Sequence, residues 1–389
     1  MAHDILVAGG GIAGLAAAVG ARAAGWEVRV FEKAAAFAEA GAGLQLGPNA
    51  TRILREWNLL DHPALRPYEP PRLSVRDAVD GRELGVLRLG ATARERYAAP
   101  YLTLHRADLH TVLLDAAAQA GAHLHAGHAI AGARVDGETA QADLVGGTMV
   151  EADALAVADG VWSALRTQLL GDGPAPASGH VAYRALLPMA QLPASLRQQE
   201  VQAWLGPRMH LVRYPVRGGE ALNIVAFIEG RAEAAWDQDA GDGELRAVAR
   251  ASCRELQALV ETVDHWRLWP VHDRPPLRSE NAMALGRAVL LGDAAHPMRP
   301  YLAQGAGMAL EDALALQKVL AACSDRVLDV PTSLRRFALD RWQRCARVQA
   351  RSRRNGWIFH ADGALRLARN LSMRIGGERL LDLPWLYGA

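Results

Sequence analysis

Apolar positions follow a strand–helix–strand pattern over residues 5–33 of this 389-residue chain. Residues 5–7 form a short apolar run, Ile-Leu-Val, which is typical of a parallel strand buried on both faces. A glycine-rich turn and an alanine-rich segment that ends at Gly25 come next, followed by a second apolar run at residues 28–31. The order strand, turn, helix and strand predicts an α/β domain built on a parallel sheet.

The turn has the G-x-G-x-x-G spacing at Gly9, Gly11 and Gly14. The first glycine permits the turn, the second lets the backbone approach a pyrophosphate, and the third lets the helix pack close to the strand. Glu32 ends the second strand, where a carboxylate can bind both ribose hydroxyls of an adenosine and repels a 2′-phosphate. The site therefore suits FAD or NAD rather than NADP, with an ordinary glycine turn as the alternative for the motif alone.

A loop and a helix follow the second strand. Three glycines within residues 41–47 predict a flexible loop, and Pro48 opens a helix. The loop either lies along a cofactor, with Gln45 pointing toward it, or is a plain connection. Farther along the chain, Asp108 is expected to cap a helix that has an apolar inner face.

Alternating apolar and polar positions predict a second, β-rich domain. Strands at residues 73–77 and 84–89 flank an Asp-Gly turn and predict a hairpin that belongs to this domain. A breaker-rich stretch at residues 171–178 predicts a crossing between domains. Residues 181–269 are mainly β in pattern, with one helix expected over residues 244–263.

Together these patterns predict an α/β fold: a Rossmann-like FAD-binding domain with an interleaved β-sheet substrate domain and C-terminal helices. The expected segments are 1–70, 101–175 and 281–330 for the FAD-binding domain, 71–100 and 176–280 for the substrate domain, and 331–389 for the helical C-terminal segment.

A second glycine-rich turn lies near the end of the predicted FAD-binding domain. Asp293 follows an apolar strand at residues 288–291, at a strand end where open α/β sheets bind ligands. Gly305 to Met308 then precede an amphipathic helix over residues 309–322 and would present free N–H groups. Reduced flavin is anionic over its N1/C2 carbonyl edge, so such donors suit it. This second site favours FAD over NAD as the resident cofactor.

Three motifs together resemble a known family. GGGIAGL with Glu32, ADG at residues 158–160 and GDAAHPMRPYLAQGAGMALEDA at residues 292–313 resemble the signatures of class A FAD-dependent monooxygenases, the single-component flavoprotein aromatic hydroxylases. The third motif and the C-terminal LDLPWLYGA look most like the branch of salicylate, 3-hydroxybenzoate and 6-hydroxynicotinate hydroxylases.

The resemblance implies an activity. NADH or NADPH reduces bound FAD, O₂ adds at flavin C4a, and the resulting C4a-hydroperoxyflavin hydroxylates a small aromatic substrate, a phenolic or heteroaromatic acid. Two alternatives stay open: a flavin-dependent dehydrogenase or reductase on the same fold without oxygen insertion, and a non-catalytic binding protein. The second is disfavoured because Glu32, Asp293 and the Gly305 turn are all intact.

The resemblance also implies roles for individual residues. For the ADP half of FAD and its pyrophosphate these are Gly9, Gly11, Ala13, Gly14, Glu32, Lys33, Asp159 and Gly160, the last two also serving NAD(P)H. For the ribitol and the isoalloxazine they are Gln45, Arg106, Asp293, Gly305, Ala306, Gly307 and Met308. Pro300 would line the substrate side of the ring. Lys33 stands where the family commonly has Arg, so it keeps the charge without the fork of donors.

A phenol reacts faster as its phenolate, so a base near the substrate hydroxyl is expected. His210, on a strand of the β-rich domain, is the first candidate because the usual pKa of histidine suits neutral pH. Tyr214 is the second candidate, as a hydrogen-bond partner of the substrate. A structural role fits His210 equally, and His296 is interpreted as structural. The candidate cations for a substrate carboxylate, unranked, are Arg184, Arg208 and Arg299.

Composition and charge limit the partners. The net charge of +1 implies no bulk attraction to nucleic acid or membrane, and no segment has the length of an apolar membrane span. Three widely separated cysteines favour a reducing compartment, the cytoplasm, and the chain starts without a signal-peptide pattern. The arginine-rich segment 335–354 is interpreted as a solvated helix face, with packing on the FAD-binding domain left open, rather than as a nucleic-acid site. A monomer or a homodimer is expected.

No metal site is expected. The cysteines lack C-x-x-C spacing, so neither a zinc site nor a disulfide framework is indicated. His123 and His125 share one face of a predicted strand near His128, but no acidic or cysteine partner lies near them in the sequence.

Overall fold

Strands and helices alternate in the N-terminal part of the chain, and helices dominate its C-terminal part. The computed structural model describes residues 3–39, 41–230, 238–324 and 327–388. The strands are β1 (Asp4–Ala8), β2 (Glu27–Glu32), β3 (Gly43–Leu46), β4 (Arg72–Asp77), β5 (Glu83–Arg88), β6 (Leu102–His105), β7 (His123–Ala126), β8 (Ile130–Arg134), β9 (Ala140–Leu144), β10 (Met149–Ala152), β11 (Ala154–Val157), β12 (Ala177–Pro188), β13 (Val201–Gly206), β14 (Met209–Val216), β15 (Ala221–Glu229), β16 (Gln238–Ala240), β17 (Trp266–His272), β18 (Ala284–Leu285) and β19 (Ala288–Leu290).

The helices are α1 (Ile12–Ala23), α2 (Pro48–Glu56), α3 (Ala91–Tyr97), α4 (Arg106–Gln119), α5 (Ala164–Leu170), α6 (Gly243–Ala249), α7 (Arg254–Glu261), α8 (Gly292–Ala295), α9 (Gly305–Ser324), α10 (Val330–Phe359), α11 (Gly363–Gly376), α12 (Glu378–Leu381) and α13 (Pro384–Tyr387). Short 3₁₀ turns lie at Met189–Gln191, Ala194–Leu196, Arg217–Gly219 and Glu280–Ala282.

A six-stranded sheet with the order β18-β19-β11-β1-β2-β7 forms the nucleotide-binding part, and only β18 runs antiparallel to its neighbour. Ile5, Leu6 and Val7 of the central strand are fully buried, as the apolar run predicts for a strand covered on both faces. Helices α1 and α9 pack together beside this sheet. A Cβ at Gly20 would lie 2.8 Å from the Ala313 carbonyl oxygen, so this glycine allows the two helices to approach closely.

The β-rich part is an eight-stranded sheet with the order β16-β17-β12-β15-β14-β13-β4-β5. The predicted hairpin, β4 and β5, forms one edge of this sheet. It is joined to the sheet through β4, which pairs in parallel with β13. One face of the sheet is covered by α6 and α7, whose buried Leu245 and Leu256 pack in the same cluster as Leu211 and Ile224 of the strands. On the other face, Asn223 accepts a hydrogen bond from the Gly43 amide of β3. The fold is therefore the predicted α/β arrangement with an interleaved sheet and C-terminal helices, whereas the six segment boundaries stay predictions.

Four local predictions differ from the structure. Residues 43–46 of the expected loop form β3, which pairs with β6. His105, not Asp108, is the N-terminal cap of α4, and Asp108 lies inside its first turn. The helix expected over 244–263 is two helices, because the Cys253 amide bonds to the Ala78 carbonyl and the Cys253 backbone is extended there. Helix α9 begins at Gly305 rather than at residue 309.

No disulfide links the described residues. Cys253, Cys323 and Cys345 are free thiols. Across the described ranges, none of the helices has both the length and the apolar character needed to traverse a bilayer.

Helix α11 is fastened to the hairpin by a buried carboxylate. Asp77, fully buried at the end of β4, accepts two 2.8 Å hydrogen bonds from Arg366 and a longer one, 3.4 Å, from Arg369. Burial works against the charged form, but hydrogen bonds from Arg366 and Asn370 outweigh it and lower the pKa of Asp77 to about 2.

We expect Asp77→Asn to destabilise the protein by about 3 kcal/mol, because it leaves the buried Arg369 without its counter-charge. Urea denaturation followed by circular dichroism measures this change. The matched control is Asp80→Asn in the same turn; Asp80 is 3.8 Å from the exposed Arg82, so its loss should change stability by less than about 0.5 kcal/mol.

The stability that the Asp77 carboxylate contributes depends on pH. Because its pKa is lowered in the folded protein, its contribution to stability is complete above the unfolded pKa, near 3.8, and is lost as pH falls toward 2. The acid-side loss of stability should be shallower in Asp77→Asn than in the parent protein. Equal slopes in both would contradict the assigned ion pair.

Candidate active site between the two sheets

The first glycine turn has the close contacts that its spacing predicts. Gly9 has a φ of +105°, and a Cβ there would lie 2.4 Å from the Ala158 carbonyl oxygen. A Cβ at Gly14 would lie 1.9 Å from the Gly9 carbonyl oxygen. Gly11 caps α1 without a side-chain hydrogen bond to the first amides of the helix. Those amides are therefore available to an anionic group.

Glu32 lies against this turn. Its carboxylate accepts hydrogen bonds from the Gly10 amide (2.7 Å) and the Ala34 amide (2.8 Å), which fix it at the end of β2. Burial raises the pKa of the Asp159 carboxyl, and the charge of Lys33, the residue after Glu32, acts weakly against this rise. Asp159 Oδ1 is buried and has no hydrogen-bond partner among the described residues, so it can accept one from a ligand.

The two glycine-rich motifs meet in space. A Cβ at Gly292 would lie 2.7 Å from the side chain of Ala13 in α1. Arg106 is close enough to oppose, through its charge, the rise in the pKa of Asp293 that burial causes. The Asp293 side chain is nevertheless exposed to solvent, as in an open cleft. The residues expected to bind the pyrophosphate and the ribitol are thus brought to one cleft.

A carboxylate that the sequence analysis missed lies in this cleft. Glu39 receives a two-pronged ion pair from Arg106, with N–O distances of 2.6 and 3.0 Å. A Cβ at Gly11 would lie 3.5 Å from Glu39 Oε1. The buried His110 was also missed; its Nε2 is 2.8 Å from the Gly10 carbonyl oxygen and supports the turn from below. Neither residue belongs to a recognisable motif, so only their positions in the fold identify them.

The second glycine turn opens helix α9. A Cβ at Gly305 would meet nothing within 4 Å, whereas one at Gly307 would lie 3.0 Å from Gln304 Oε1. The buried Gln304 accepts a hydrogen bond from Asn49 at 3.0 Å. Ala306 and Met308 lie in the same first turn, and Met308 is fully buried. The backbone around Gly305 is therefore open while the following residues are held by packing.

A buried ion-pair network anchors α9. Asp312 is fully buried and accepts hydrogen bonds from the Gly292 amide (3.0 Å), His296 Nε2 (2.7 Å) and Arg341 Nε (2.9 Å). Burial opposes the charged imidazole, but the Cys345 sulfur and the Asp312 carboxylate outweigh it and hold the pKa of His296 well above its usual value. His296 thus has a structural place.

His296, Asp312 and Cys345 lie close enough together to hold a metal ion. However, hydrogen bonds from neighbouring groups already use both Asp312 oxygens, and the cationic Arg341 occupies one of them. The arrangement fits an ion-pair network better than a metal centre.

The arginine-rich helix α10 is exposed at Arg335 and Arg336, as the sequence predicts for a solvated face, but other arginines of the helix pack against α9. Arg341 is 6% exposed and bonds to Asp312 and Glu311. Arg344 also bonds to Glu311, at 2.5 and 2.7 Å, and donates to the carbonyls of Trp385 and Leu386. These arginines fix the C-terminal residues to α9, a role that periodicity alone could not distinguish from a surface position.

Three cross-strand rows define the face of the eight-stranded sheet that turns toward the cleft. On β14, β15 and β12 the registers align His210 with Phe227 and Ala182, and Val212 with Val225 and Arg184. Tyr214 aligns with Asn223 in the third row. Paired residues of adjacent strands point to the same face, and rows two residues apart are about 7 Å apart. The valines form an apolar floor between His210 and Tyr214.

His210 is buried, with 1% of its surface exposed. Its ring stacks on Phe227 at a centroid distance of 4.7 Å and meets Tyr301 edge-on at 4.6 Å. Its Nδ1 lies 2.7 Å from Nε2 of His360, at the end of α10. Burial, with the neighbouring His360 and His180, holds the pKa of His210 well below its usual value. The ring is therefore neutral at pH 7, and its Nε2 is the atom that can face a ligand.

Tyr214 lies at the opposite end of the floor. Burial raises its pKa far above the usual value, although Arg184 and a hydrogen bond with Gln45 act against the rise. Gln45 Oε1 also accepts a 2.8 Å hydrogen bond from Tyr101. Strand β3, which carries Gln45, is held to the sheet by the Gly43 amide, which donates to Asn223 at 2.7 Å. The expected loop residue thus bridges the two parts of the chain.

The three candidate cations have different surroundings. Arg299 forms an ion pair with the buried Asp273 at 3.1 Å. Arg208 is exposed, with Glu229 at 3.5 Å. Arg184 is half-buried, 4.7 Å over the ring of Trp269, and its charge reaches Tyr214. Pro300, beside Arg299, is half-buried on the loop that leads to α9.

The chain is similar in sequence to known proteins over nearly its whole length. Residues 2–327 match the family model described as FAD binding domain. A 3-hydroxybenzoate 6-hydroxylase of Polaromonas naphthalenivorans (strain CJ2) is 37% identical over 389 residues, which cover 99% of this chain and 95% of that protein. A 3-amino-4-hydroxybenzoate 2-monooxygenase of Streptomyces platensis is 38% identical over 393 residues, with 99% and 95% covered.

Among solved structures, Klebsiella pneumoniae HpxO complexed with FAD and uric acid aligns with a TM-score of 0.84 and 24% identity. The alignment covers 97% of this chain and 94% of that one. At this identity the likeness concerns the fold.

We expect Gly305→Ala to leave the fold intact and to weaken FAD binding by about tenfold, because the added methyl fills the open space at the start of α9. Flavin fluorescence titration measures the affinity, and the melting temperature of the apoprotein reports the fold. Gly241→Ala is the control, since Gly241 is exposed and has open space around it. Unchanged FAD affinity in Gly305→Ala would place the cofactor elsewhere.

Proposed function

This chain belongs to the FAD-binding-domain family of flavoproteins, with FAD as its cofactor, and we propose that it is a monooxygenase that hydroxylates a phenolic aromatic acid with O₂ and NADH or NADPH. The observation that carries the proposal is the sheet face with His210 at one end of an apolar floor and Tyr214 at the other. This assignment agrees with the class A hydroxylase resemblance of the three sequence motifs.

The cleft between the glycine turns fits FAD. Glu32, at the end of β2, would hold the adenosine ribose, and the free amides of α1 the pyrophosphate. Arg106 and Asp293 would reach the phosphate and the ribitol, and the open turn at Gly305 the isoalloxazine. When bound, FAD supplies the reduction and oxygen-transfer chemistry. The protein contributes orientation, exclusion of water and placement of charge.

His210 would act on the substrate hydroxyl. Its neutral ring can accept the phenol proton at Nε2, since Nδ1 is engaged with His360. The phenolate so formed is the more electron-rich ring and reacts faster with an electrophilic oxygen. Phe227 stacks on the imidazole ring and Tyr301 meets it edge-on, so the base is positioned before substrate binds.

Arg184 is the best-placed cation for a substrate carboxylate. It belongs to the middle row of the floor, beside Val225, whereas Arg299 lies on the loop before α9 and Arg208 lies at the surface. Both relatives named above act, by their names, on a benzoate that carries a hydroxyl group. A hydroxybenzoate therefore fits: its ring on the valines, its hydroxyl toward His210 and its carboxylate toward Arg184. We further propose that the enzyme acts in the cytoplasm as a monomer or a homodimer.

A substrate panel tests the reaction. With FAD-loaded enzyme, NADH oxidation should accelerate with 3-hydroxybenzoate, 4-hydroxybenzoate, salicylate or 6-hydroxynicotinate, and ¹⁸O from ¹⁸O₂ should enter the product. Benzoate, which lacks the hydroxyl group, is the control and should yield no hydroxylated product. NADH oxidation without ¹⁸O incorporation for every compound would favour the dehydrogenase or reductase alternative.

Two variants test the residue roles. His210→Gln should slow hydroxylation by about 100-fold or more through loss of the base. Arg184→Gln should raise KM for the acid by about 10- to 100-fold through loss of a charged hydrogen bond. Stopped-flow kinetics separates the two effects, and FAD affinity should be unchanged in both. Arg336→Gln, on the exposed face of α10, is the control. Parent-like kinetics in either variant would remove that residue from the proposed site.

A further inference from the structure

A buried base needs a route for the proton that it accepts. His210 is enclosed by Phe227, Tyr301 and Phe359, and solvent reaches almost none of its surface. An imidazolium in such surroundings loses its hydration without gaining a carboxylate partner. His210 can therefore act repeatedly as a base only if its ring releases one proton while it accepts the proton of the phenol.

The structure contains a row of groups from His210 to the surface. His210 Nδ1 is 2.7 Å from His360 Nε2, a direct hydrogen bond between two neutral rings. On the other side of the second ring, His360 Nδ1 is 3.6 Å from Glu229 Oε1. This Nδ1 is buried and has no hydrogen-bond partner among the described residues. The Glu229 side chain is 42% exposed and so reaches bulk water.

The two contacts of His360 differ in length. The first contact, 2.7 Å, is short enough for direct transfer, whereas 3.6 Å exceeds a hydrogen bond. A small rotation of the exposed Glu229 side chain, or one bridging water, closes the second gap. Glu229 ends β15 and His360 follows α10, and the Arg208 amide donates to the His360 carbonyl at 3.2 Å. The backbone thus holds the ring beside the strand end.

The other charged groups around His210 and His360 favour the neutral forms of both rings. His180 lies beside both rings, and Arg299, bonded to His180 at 3.3 Å, is balanced by Asp273. Burial, with His180, Arg299 and Arg369, lowers the pKa of His360 to about 3. The hydroxyl of Tyr301 faces the same region without a hydrogen-bond partner among the described residues. Apart from Glu229, the groups that act on His360 disfavour a cation there.

We propose that His360 and Glu229 relay the substrate proton from His210 to solvent, an inference that rests on the proposed hydroxylase function. The phenol O–H breaks as His210 Nε2 gains the proton, and the Nδ1 proton of His210 passes to His360 Nε2. The Nδ1 proton of His360 passes to the Glu229 carboxylate and then to water. One proton enters and one leaves, so neither ring accumulates charge, and the reverse sequence in the free enzyme restores the tautomers.

The test compares His360→Asn and Glu229→Gln with matched controls in FAD-loaded enzyme, using the panel compound that the parent enzyme hydroxylates. His360→Asn should slow hydroxylation by about 100-fold, with the rate of FAD reduction by NADH unchanged. Glu229→Gln should slow it by about 5- to 10-fold in dilute buffer, and added formate or acetate should restore the rate by accepting the proton at the exposed end. The controls are His128→Asn and Glu220→Gln; both residues are exposed, and Glu220 precedes the start of β15 whereas Glu229 ends that strand.

The outcomes separate the relay from the function. Rescue of Glu229→Gln by carboxylate buffers, with no effect of buffer on Glu220→Gln, supports the relay, since a merely structural role does not respond to buffer. Parent-like rates in both relay variants, with His210→Gln still impaired, overturn the relay and leave the hydroxylase intact. If the parent enzyme hydroxylates no panel compound, the proposed function fails and the relay fails with it. Glu229 is exposed, so its variant should fold even where His360→Asn does not.

Discussion

The pairing of Glu311 and Asp312 with Arg341 and Arg344 is the interaction on which the architecture depends. Two carboxylates inside a protein are costly unless each is paired and hydrogen-bonded, and here each is. Because the carboxylates belong to α9 and the arginines to α10, the network fixes the direction of α9 and hence the position of its open N-terminus. The same arginines hold the C-terminal residues, so the end of the chain is part of the cofactor region.

Two sheets form the site, one through the loops at its strand ends and the other through one of its faces. The parallel sheet gathers loops at the carboxyl ends of its strands, where Glu32, Asp159 and Asp293 lie. In the eight-stranded sheet, the antiparallel strands β12, β15 and β14 instead offer a face on which every second residue points the same way, so these three strands supply a floor and its two polar ends. Strand β3 joins the two through Gly43 and Gln45, which lets the cofactor cleft and the substrate face share one wall.

Burial lowers the pKa at both histidine sites, and the neighbouring groups decide which ring is charged. His296 lies against Asp312, so it is held as a cation and serves the scaffold. His210 lies against aromatic rings and another neutral histidine, so it is held as a neutral base. The residue type is the same, and the neighbouring charge decides between a structural and a chemical role.

The sequence by itself determined the nucleotide-binding motif, the parallel sheet, the second glycine turn, the interleaved hairpin and the family, because these depend on short-range spacing and local periodicity. It could not determine that α10 buries Arg341 and pairs it and Arg344 with Glu311, that the helix after residue 243 breaks at Cys253, or that Glu39 and His110 support the first turn. Those features depend on groups brought from other parts of the chain. His360 is the clearest case: it lies 150 residues from His210, and no local pattern marks it. Only the tertiary structure places the two rings in contact, since packing of α10 against the sheet end, not sequence spacing, sets their distance.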